Sequence, residues 1–313
     1  MKEDYYQQLA IIVEAKLNNH PLVSIVMNCY NGESFLRDSI KSVLSQTYEN
    51  WELIFWDNKS NDKSKNIFFE FKDKRLKYFE APKHTMLGEA RNNALEKCNG
   101  EFISFLDVDD WWTSEKLYNQ VKVLKSNNDI KFNFTNYWFC DQRNNKKVSL
   151  YSKKKSYSGF LTNYLLKSYD VGISTVTFKK EIINDTNKPF ENNSYFCDFN
   201  LFMNLSTKYK FYFEEQPLTY YRWHNKNFTH NNFDLYVSEM NRLLKSFQKF
   251  EKFENFKFFK INIDYINCLL LLKNKEKKNY LKKALMMKWS LKKIKLLMYY
   301  FVPLKILEKL IRI

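Results

Sequence analysis

The chain places three carboxylates, Asp107, Asp109 and Asp110, directly after the hydrophobic run Phe102–Leu106 and ahead of Trp111 and Trp112. Carboxylates this close raise one another's pKa unless something cationic sits among them. Hard oxygen donors of this kind suit a divalent metal, Mg²⁺ or Mn²⁺, which also bridges to substrate phosphates. The run before them reads as a buried strand, and open α/β sheets bind ligands at the carboxyl ends of their strands. Taken alone, the triplet also fits a solvated acidic turn opening a helix, because Asp is a common N-cap.

The elements around it must therefore be read. Leu22–Met27 is a short apolar run, followed by a polar turn over Asn28–Glu33. Leu36, Ile40, Val43 and Leu44 then recur at helical spacing. A second strand over Glu52–Trp56 ends in the turn residues Asp57, Asn58, Lys59 and Ser60. A helix over Lys63–Phe71, a strand near Leu76–Phe79 and a helix over Leu87–Cys98 follow, the last closed by Asn99 and Gly100 as by a left-handed cap. Strands separated by helices of this length imply βαβ units and a mainly parallel sheet flanked by helices, an α/β fold. Later elements are a helix over Ser114–Leu124, strands over Lys131–Phe139, Ser174–Phe178 and Leu218–Arg222, and a helix over Asp198–Lys208. Residues 141–170 read as loop with some helix. From Phe233 the pattern is helical only, including Tyr280–Leu297 and Leu304–Ile311 on either side of Pro303, an all-helical appendage. The expected division is an extension over 1–19, a catalytic domain over 20–232 with halves 20–112 and 113–232, and a basic helical tail over 233–313.

The net charge of +16 is concentrated: residues 251–313 hold 16 Lys/Arg against 5 Asp/Glu, and the rest holds 35 against 30. The basic feature belongs to the tail and not to the carboxylates, which argues against a nucleic-acid-binding protein despite a pI of about 9.3. Five dispersed cysteines without a CxxC pair argue against a disulfide framework or zinc site and for a reducing compartment. No signal peptide is visible, and no stretch reaches the roughly 18–20 apolar residues that span a bilayer. The expected location is cytoplasmic, either free or peripheral on the inner face of the cytoplasmic membrane.

Several segments together resemble the family 2 glycosyltransferases, GT-A-fold enzymes that take sugars from nucleotide diphosphates. Val23–Glu33 resembles the family's first strand and turn, with Tyr30-Asn31 at its end. Ser42–Tyr48 followed by Trp51–Ile54 is similar to the S-V-L-x-Q-T-Y…E-(I/L)-I stretch. Trp56–Asp62 resembles the V-D-D-G-S-x-D turn. Gly88–Asn92 followed by Gly100–Asp110 is similar to A-R-N…G-x-(Y/F)-I-x-F-L-D-x-D-D. Cys197-Asp198 stands where the family often has Glu-Asp, and Tyr221–His224 resembles its Y-R-x-H element. The resemblance covers roughly residues 20–230 and is loose in the second half.

What the resemblance implies is a metal-dependent, inverting transfer of a hexose or N-acetylhexosamine from a UDP-sugar to a hydroxyl of a glycan or lipid-linked acceptor, in surface-polysaccharide synthesis. Asp57 would hydrogen-bond the pyrimidine and Tyr30 would wall the base. Arg91 would reach the diphosphate or orient Asp107. Asp107 would contact ribose or metal-bound water, Asp109 would bind the metal, and Asp110 would hold its neighbours or cap the helix. Asp198 would take the acceptor proton, because inverting transfer needs a base on the opposite face. His224 would complete the metal shell or touch a phosphate, and Trp111 or Trp112 would offer a face to a sugar ring. Three departures from the pattern are visible: Asn28-Cys29 replaces the usual Pro, Asn58-Lys59 replaces Asp-Gly, and Cys197 replaces Glu. The alternative is a catalytically inactive sugar-nucleotide-binding or scaffold homologue. The tail's basic, apolar helices either lie on an anionic membrane, pack on the catalytic domain or form a dimer contact.

Overall fold

The structure is a computed structural model describing residues 20–142, 147–150, 158–184, 188–193, 195–225, 227 and 233–299. The expected extension over 1–19 and the expected last helix, Leu304–Ile311, lie outside these residues. Strand β1 (Val23–Cys29), helix α1 (Leu36–Leu44), strand β2 (Trp51–Asp57), helix α2 (Ser64–Glu70), strand β3 (Leu76–Glu80), helix α3 (Leu87–Leu95) and strand β4 (Phe102–Phe105) alternate as expected. Their sheet order is β3-β2-β1-β4, all parallel. Every residue of β2 and β4 is buried. The period of two then sorts side chains to two cores. Ile25, Met27, Leu53, Phe55 and Phe102 face α1, α2 and helix α4 (Lys116–Ser126), whereas Val26, Ile54, Trp56, Ile103 and Phe105 face α3. Helix α1 turns Leu36, Ile40 and Val43 inward and leaves Arg37, Asp38 and Lys41 exposed.

Beyond β4 the sheet is mixed, so the parallel arrangement expected from the sequence describes its first four strands. Strand β8 (Val176–Lys179) is antiparallel to β4 and to β6 (Ile130–Asp141). Strand β9 (Lys210–Trp223) runs parallel to β6, while β7 (Lys147–Leu150) pairs antiparallel with the far end of β6. Trp111–Trp112 forms a short edge strand, β5, antiparallel to β9. Strand β9 is longer than the Leu218–Arg222 segment legible in the sequence. Pro217 argues against a continuous strand, and it falls opposite Asn136 at a register shift, where a ladder bond is already broken.

The expected left-handed cap at Gly100 is not formed. Helix α3 ends at Leu95, and among the described glycines only Gly159 has positive φ. Gly100 instead lies against β1, where a Cβ would sit 2.5 Å from the Ser24 amide nitrogen. Close approach is what needs glycine here. Gly100 N donates to Ser24 Oγ, which in turn donates to the buried Glu52 carboxylate at 2.6 Å.

Helix α5 (Thr162–Lys167) and helix α6 (Cys197–Ser206) close the second face of the sheet. Helices α7 (Phe233–Ser246) and α8 (Phe256–Lys273) pack there too: Met240, Leu243, Phe247, Phe259 and Ile263 share a core with Phe196, Phe199 and Phe202. The second half of α8 joins helices α9 (Lys277–Met286) and α10 (Leu291–Tyr299) around Cys268, Leu272, Tyr280 and Leu296, a separate small core.

Candidate active site

The β4 strand delivers its acidic turn to the end of the sheet where β1 and β2 also finish. Donor atoms of Asp107, Asp109 and Asp110 lie within 4.8 Å of one another. Asp110 is 2% exposed and both its oxygens are taken: Ser174 Oγ donates to Oδ2 at 2.6 Å and the Arg222 amide to Oδ1 at 2.9 Å. It anchors the turn from beneath. Ser39 Oγ adds contacts to the carbonyls of Val108 and Asp110. Asp107 and Asp109 keep the outward positions. Burial and the neighbouring carboxylates of Asp109 and Asp198 lift the Asp107 carboxyl to about 6, while Arg91 opposes the rise. Burial and the neighbouring carboxylates of Asp109 and Asp107 also push Asp110 well above the carboxylate range. Negative charge is thus in excess, and a divalent cation fits this all-oxygen donor set.

Arg91 is a buried cation inside this group, as is Arg222, whose Nε donates to the Asp109 carbonyl at 2.7 Å. Arg91 is 3% exposed, donating to Asp107 Oδ1 at 3.3 Å and to Cys197 Sγ at 3.2 Å. Helix α3 carries it, and Asn92 fixes that helix by exchanging two hydrogen bonds with Phe190. Gly88 seats the first turn against the 190–193 segment, donating its amide to Asn193 O. Cys197, at the position of the family's Glu, is a buried thiol that desolvation pushes up to about 12, so it accepts from Arg91 as a neutral group. Next to it, Asp198 opens α6. Burial raises its pKa and Arg91 opposes that. The Tyr169 ring packs on Phe199 and its hydroxyl lies beside the Asp198 carboxylate.

His224 joins the group through Asp109, with Nε2 3.1 Å from Oδ2, and its ring packs on Phe35. Asn227 also donates to Asp109 Oδ2. Trp111 is stacked on Tyr220 at 4.9 Å, with the Arg222 guanidinium 4.5 Å from its ring. Trp112 is buried, donating Nε1 to Ser174 O, and serves the core. Beneath it the buried Lys116 bonds Ser104 and Gln120.

At the ends of β1 and β2 the two loops are fastened to each other. Asn31 Oδ1 accepts the Asn61 amide, Gly32 N donates to Ser64 Oγ, and Glu33 N donates to Asp62. Asp57 is 2% exposed and accepts from Ser60 N and from Tyr78 Oη. Tyr30 is half exposed, its ring 4.1 Å from that of His84. Lys59, in place of the family's glycine, keeps a left-handed φ of 70°, a conformation that L side chains adopt at a cost.

A sequence model of glycosyl transferase family 2 matches residues 24–184, half of the chain. The chain belongs to this family. It is 37% identical over 169 residues to WfgD of Escherichia coli, a UDP-Glc:α-D-GlcNAc-diphosphoundecaprenol β-1,3-glucosyltransferase; the match takes in 54% of this chain and 64% of WfgD, just under two thirds of that relative's length. WfaP of E. coli, of the same description, is 29% identical over 228 residues, 72% of this chain and 86% of WfaP. Among solved structures, S. aureus TarS 1–349 in complex with UDP-GlcNAc aligns with a TM-score of 0.57 at 16% identity, over 89% of this chain and 80% of that one. The Pyrobaculum calidifontis mannosyltransferase PcManGT, in complex with GDP-Man and Mn²⁺, aligns with a TM-score of 0.59 at 15% identity, over 93% and 84%. At these identities the structures establish the fold, that of GT-A glycosyltransferases.

Within this family 2 chain the structure gathers Arg91, Asp107, Asp109, Asp110, Asp198 and His224 into one group, and sets Tyr30 and Asp57 on the adjoining loops. The supporting residues Ser174, Arg222, Asn227, Ser39 and Tyr169 were not singled out from sequence. Their contacts arrive from distant segments, and only Arg222 carried a signal, through the Tyr221–His224 motif.

Proposed function

We propose that this family 2 glycosyltransferase moves a sugar, a hexose or N-acetylhexosamine, from a UDP-sugar to a hydroxyl of a glycan or lipid-linked acceptor, with inversion. The observation that carries the reading is a buried arginine, Arg91, set between a carboxylate cluster at a strand end and a second carboxylate, Asp198, on another element. Asp109 and Asp107 would hold Mn²⁺ or Mg²⁺, with His224 beside Asp109. Bound there, the ion supplies positive charge to the departing diphosphate. Tyr30 and His84 flank the base next to Asp57, whose carboxylate keeps acceptor capacity beyond its two present donors. Arg91 opposes the rise that burial imposes on the Asp107 and Asp198 carboxyls. Asp198, with its pKa raised by burial, takes the proton of the acceptor hydroxyl as the new bond forms. The relatives' names support the donor and the lipid-linked acceptor class, and TarS with UDP-GlcNAc supports a UDP-sugar.

The test is calorimetric titration of UDP, GDP and CDP, with and without Mn²⁺, into the wild type and Asp109→Ala, followed by UDP-sugar turnover with Asp198→Asn. The expected result is metal-dependent UDP binding lost in Asp109→Ala, and normal binding without transfer in Asp198→Asn. Selective GDP binding would overturn the donor class. Full turnover in Asp198→Asn would remove it as the base.

A further inference from the structure

The segment 277–299 carries eight lysines and no acidic residue. It also concentrates exposed apolar side chains: Met286 (77%), Trp289 (75%), Leu291 (85%) and Met298 (64%), with Leu285 and Ile294. In α10, Leu291, Ile294 and Met298 are spaced to form one stripe, opposite Leu296, which is buried in the small C-terminal core. A contiguous exposed patch of this kind marks an interaction site. Among the described residues, none of the eight lysines forms an ion pair with an acidic side chain, and Lys277, Lys278, Lys282, Lys288 and Lys295 are exposed to a partner, whereas Lys292 and Lys293 donate to Asn262 and to the Leu285 and Met287 carbonyls. Lys282 and Lys283 also line an open cleft of about 510 Å³ between α8 and α9, walled by Leu271, Met286 and Met287, with Asp264 and Asn279. Met286 belongs to both cleft and patch.

We propose that the turn between α9 and α10 and the exposed stripe of α10 dock on an anionic lipid bilayer, in the interface and without crossing it. Charge complementarity selects this occupant. A second copy meeting the patch across a two-fold axis would set lysine against lysine. Residues 300–313 are themselves net basic, so they bring no complementary charge. A bilayer with acidic headgroups satisfies both components: Trp289, Leu291 and Met298 enter the headgroup boundary, and the lysines meet lipid phosphates. No helix among the described residues is long and apolar enough to cross a membrane, consistent with lying on one. The docking goes beyond sugar transfer and does not depend on it.

Co-sedimentation of the full chain with vesicles tests the proposal. Phosphatidylcholine vesicles should leave the protein in solution, vesicles containing phosphatidylglycerol should bind it, and added salt should weaken that binding. Trp289→Ser with Leu291→Ser should lower the affinity more than about tenfold. Lys282→Glu with Lys288→Glu should lower it by at least about fivefold per lysine. All four side chains are exposed or at a cleft rim, so thermal melting and UDP binding without vesicles should be unchanged. Absence of binding to phosphatidylglycerol vesicles would overturn the proposal while leaving the transferase reading intact, as would equal binding by the apolar variant. A wild-type dimer that dissociates in the apolar variant would assign the patch to a second copy instead.

Discussion

Replacing Arg91 by Met removes the buried cation between Asp107 and Asp198 while roughly keeping its volume. At about 4 Å and an effective dielectric near 20, each opposite charge contributes at most about 4 kcal/mol. Breaking a buried pair costs about 3–5 kcal/mol. The Asp107 side chain is 38% exposed, however, and its contact with Arg91 is 3.3 Å long, so solvent screening reduces the term. Both acids also have a raised pKa already and can escape the penalty by taking a proton. The net loss works out at about 2–3 kcal/mol, or a fall in Tm of about 5–10 °C for a domain of this size. Arg91→Lys restores the charge without the planar fork and should recover about half of the loss. Circular dichroism melts give the stability, and titration of UDP with Mn²⁺ gives the consequence at the site, where misplacement of Asp107 should weaken binding about tenfold or more. If Arg91→Met melts with the wild type and binds UDP equally well, the buried arginine does not organise these carboxylates and the reasoning fails.

Gly88→Ala would place a Cβ 1.8 Å from the Glu191 carbonyl oxygen, so the 190–193 segment must move; the expected loss is about 3 kcal/mol, read as a lower urea midpoint. Lys59→Gly relieves a left-handed φ and gives up only an exposed ion pair to Glu80; Tm should hold or rise, by up to about 1 kcal/mol of stability, whereas Lys59→Val should lower it. Glu52 is held below the usual carboxylate range because Lys77, Ser24 and the Asn99 amide bond the ionised form against the opposing effect of burial. Its contribution is therefore present above the unfolded value near 4.3 and is lost as pH falls through the lowered folded value. The drop in Tm from about pH 6 to about pH 3 should be smaller in Glu52→Gln than in the wild type, and an equal drop in both would refute the assignment.

Much of the parallel half was legible because its signal is local. Apolar runs, helical spacing and turn residues fix β1 to β4 and their helices, and Asp107, Asp109 and Asp110 follow a strand directly. What stayed hidden depends on contacts across the chain. Ser174 and Arg222 reach Asp110 from far along the sequence, and nothing in their own neighbourhoods announces that. Gly100 illustrates a subtler failure: a glycine after a helix pattern has two explanations, and only the proximity of Ser24 decides for close packing over a left-handed cap. Cys197 departs from the family's Glu and, as a buried neutral thiol, accepts from Arg91, a contact that the sequence does not announce.

The helix that presents Asp198 is gripped from the C-terminal side. Phe196 packs on Tyr236, Phe199 packs on Phe247 and Phe259, and the Tyr195 amide donates to Glu239. The chemistry is therefore not portable as a bare sheet domain. A graft meant to exchange acceptor preference between relatives would have to carry 195–273 as one block, because a seam at 232 would separate the proposed base from its buttress. The loops after β1 and β2, the proposed donor end, are latched to one another and need no such escort. Divergence in this protein thus has two unequal handles, a self-sufficient end proposed to read the nucleotide and a jointly built end where, on the proposed reading, a new acceptor would require coordinated change.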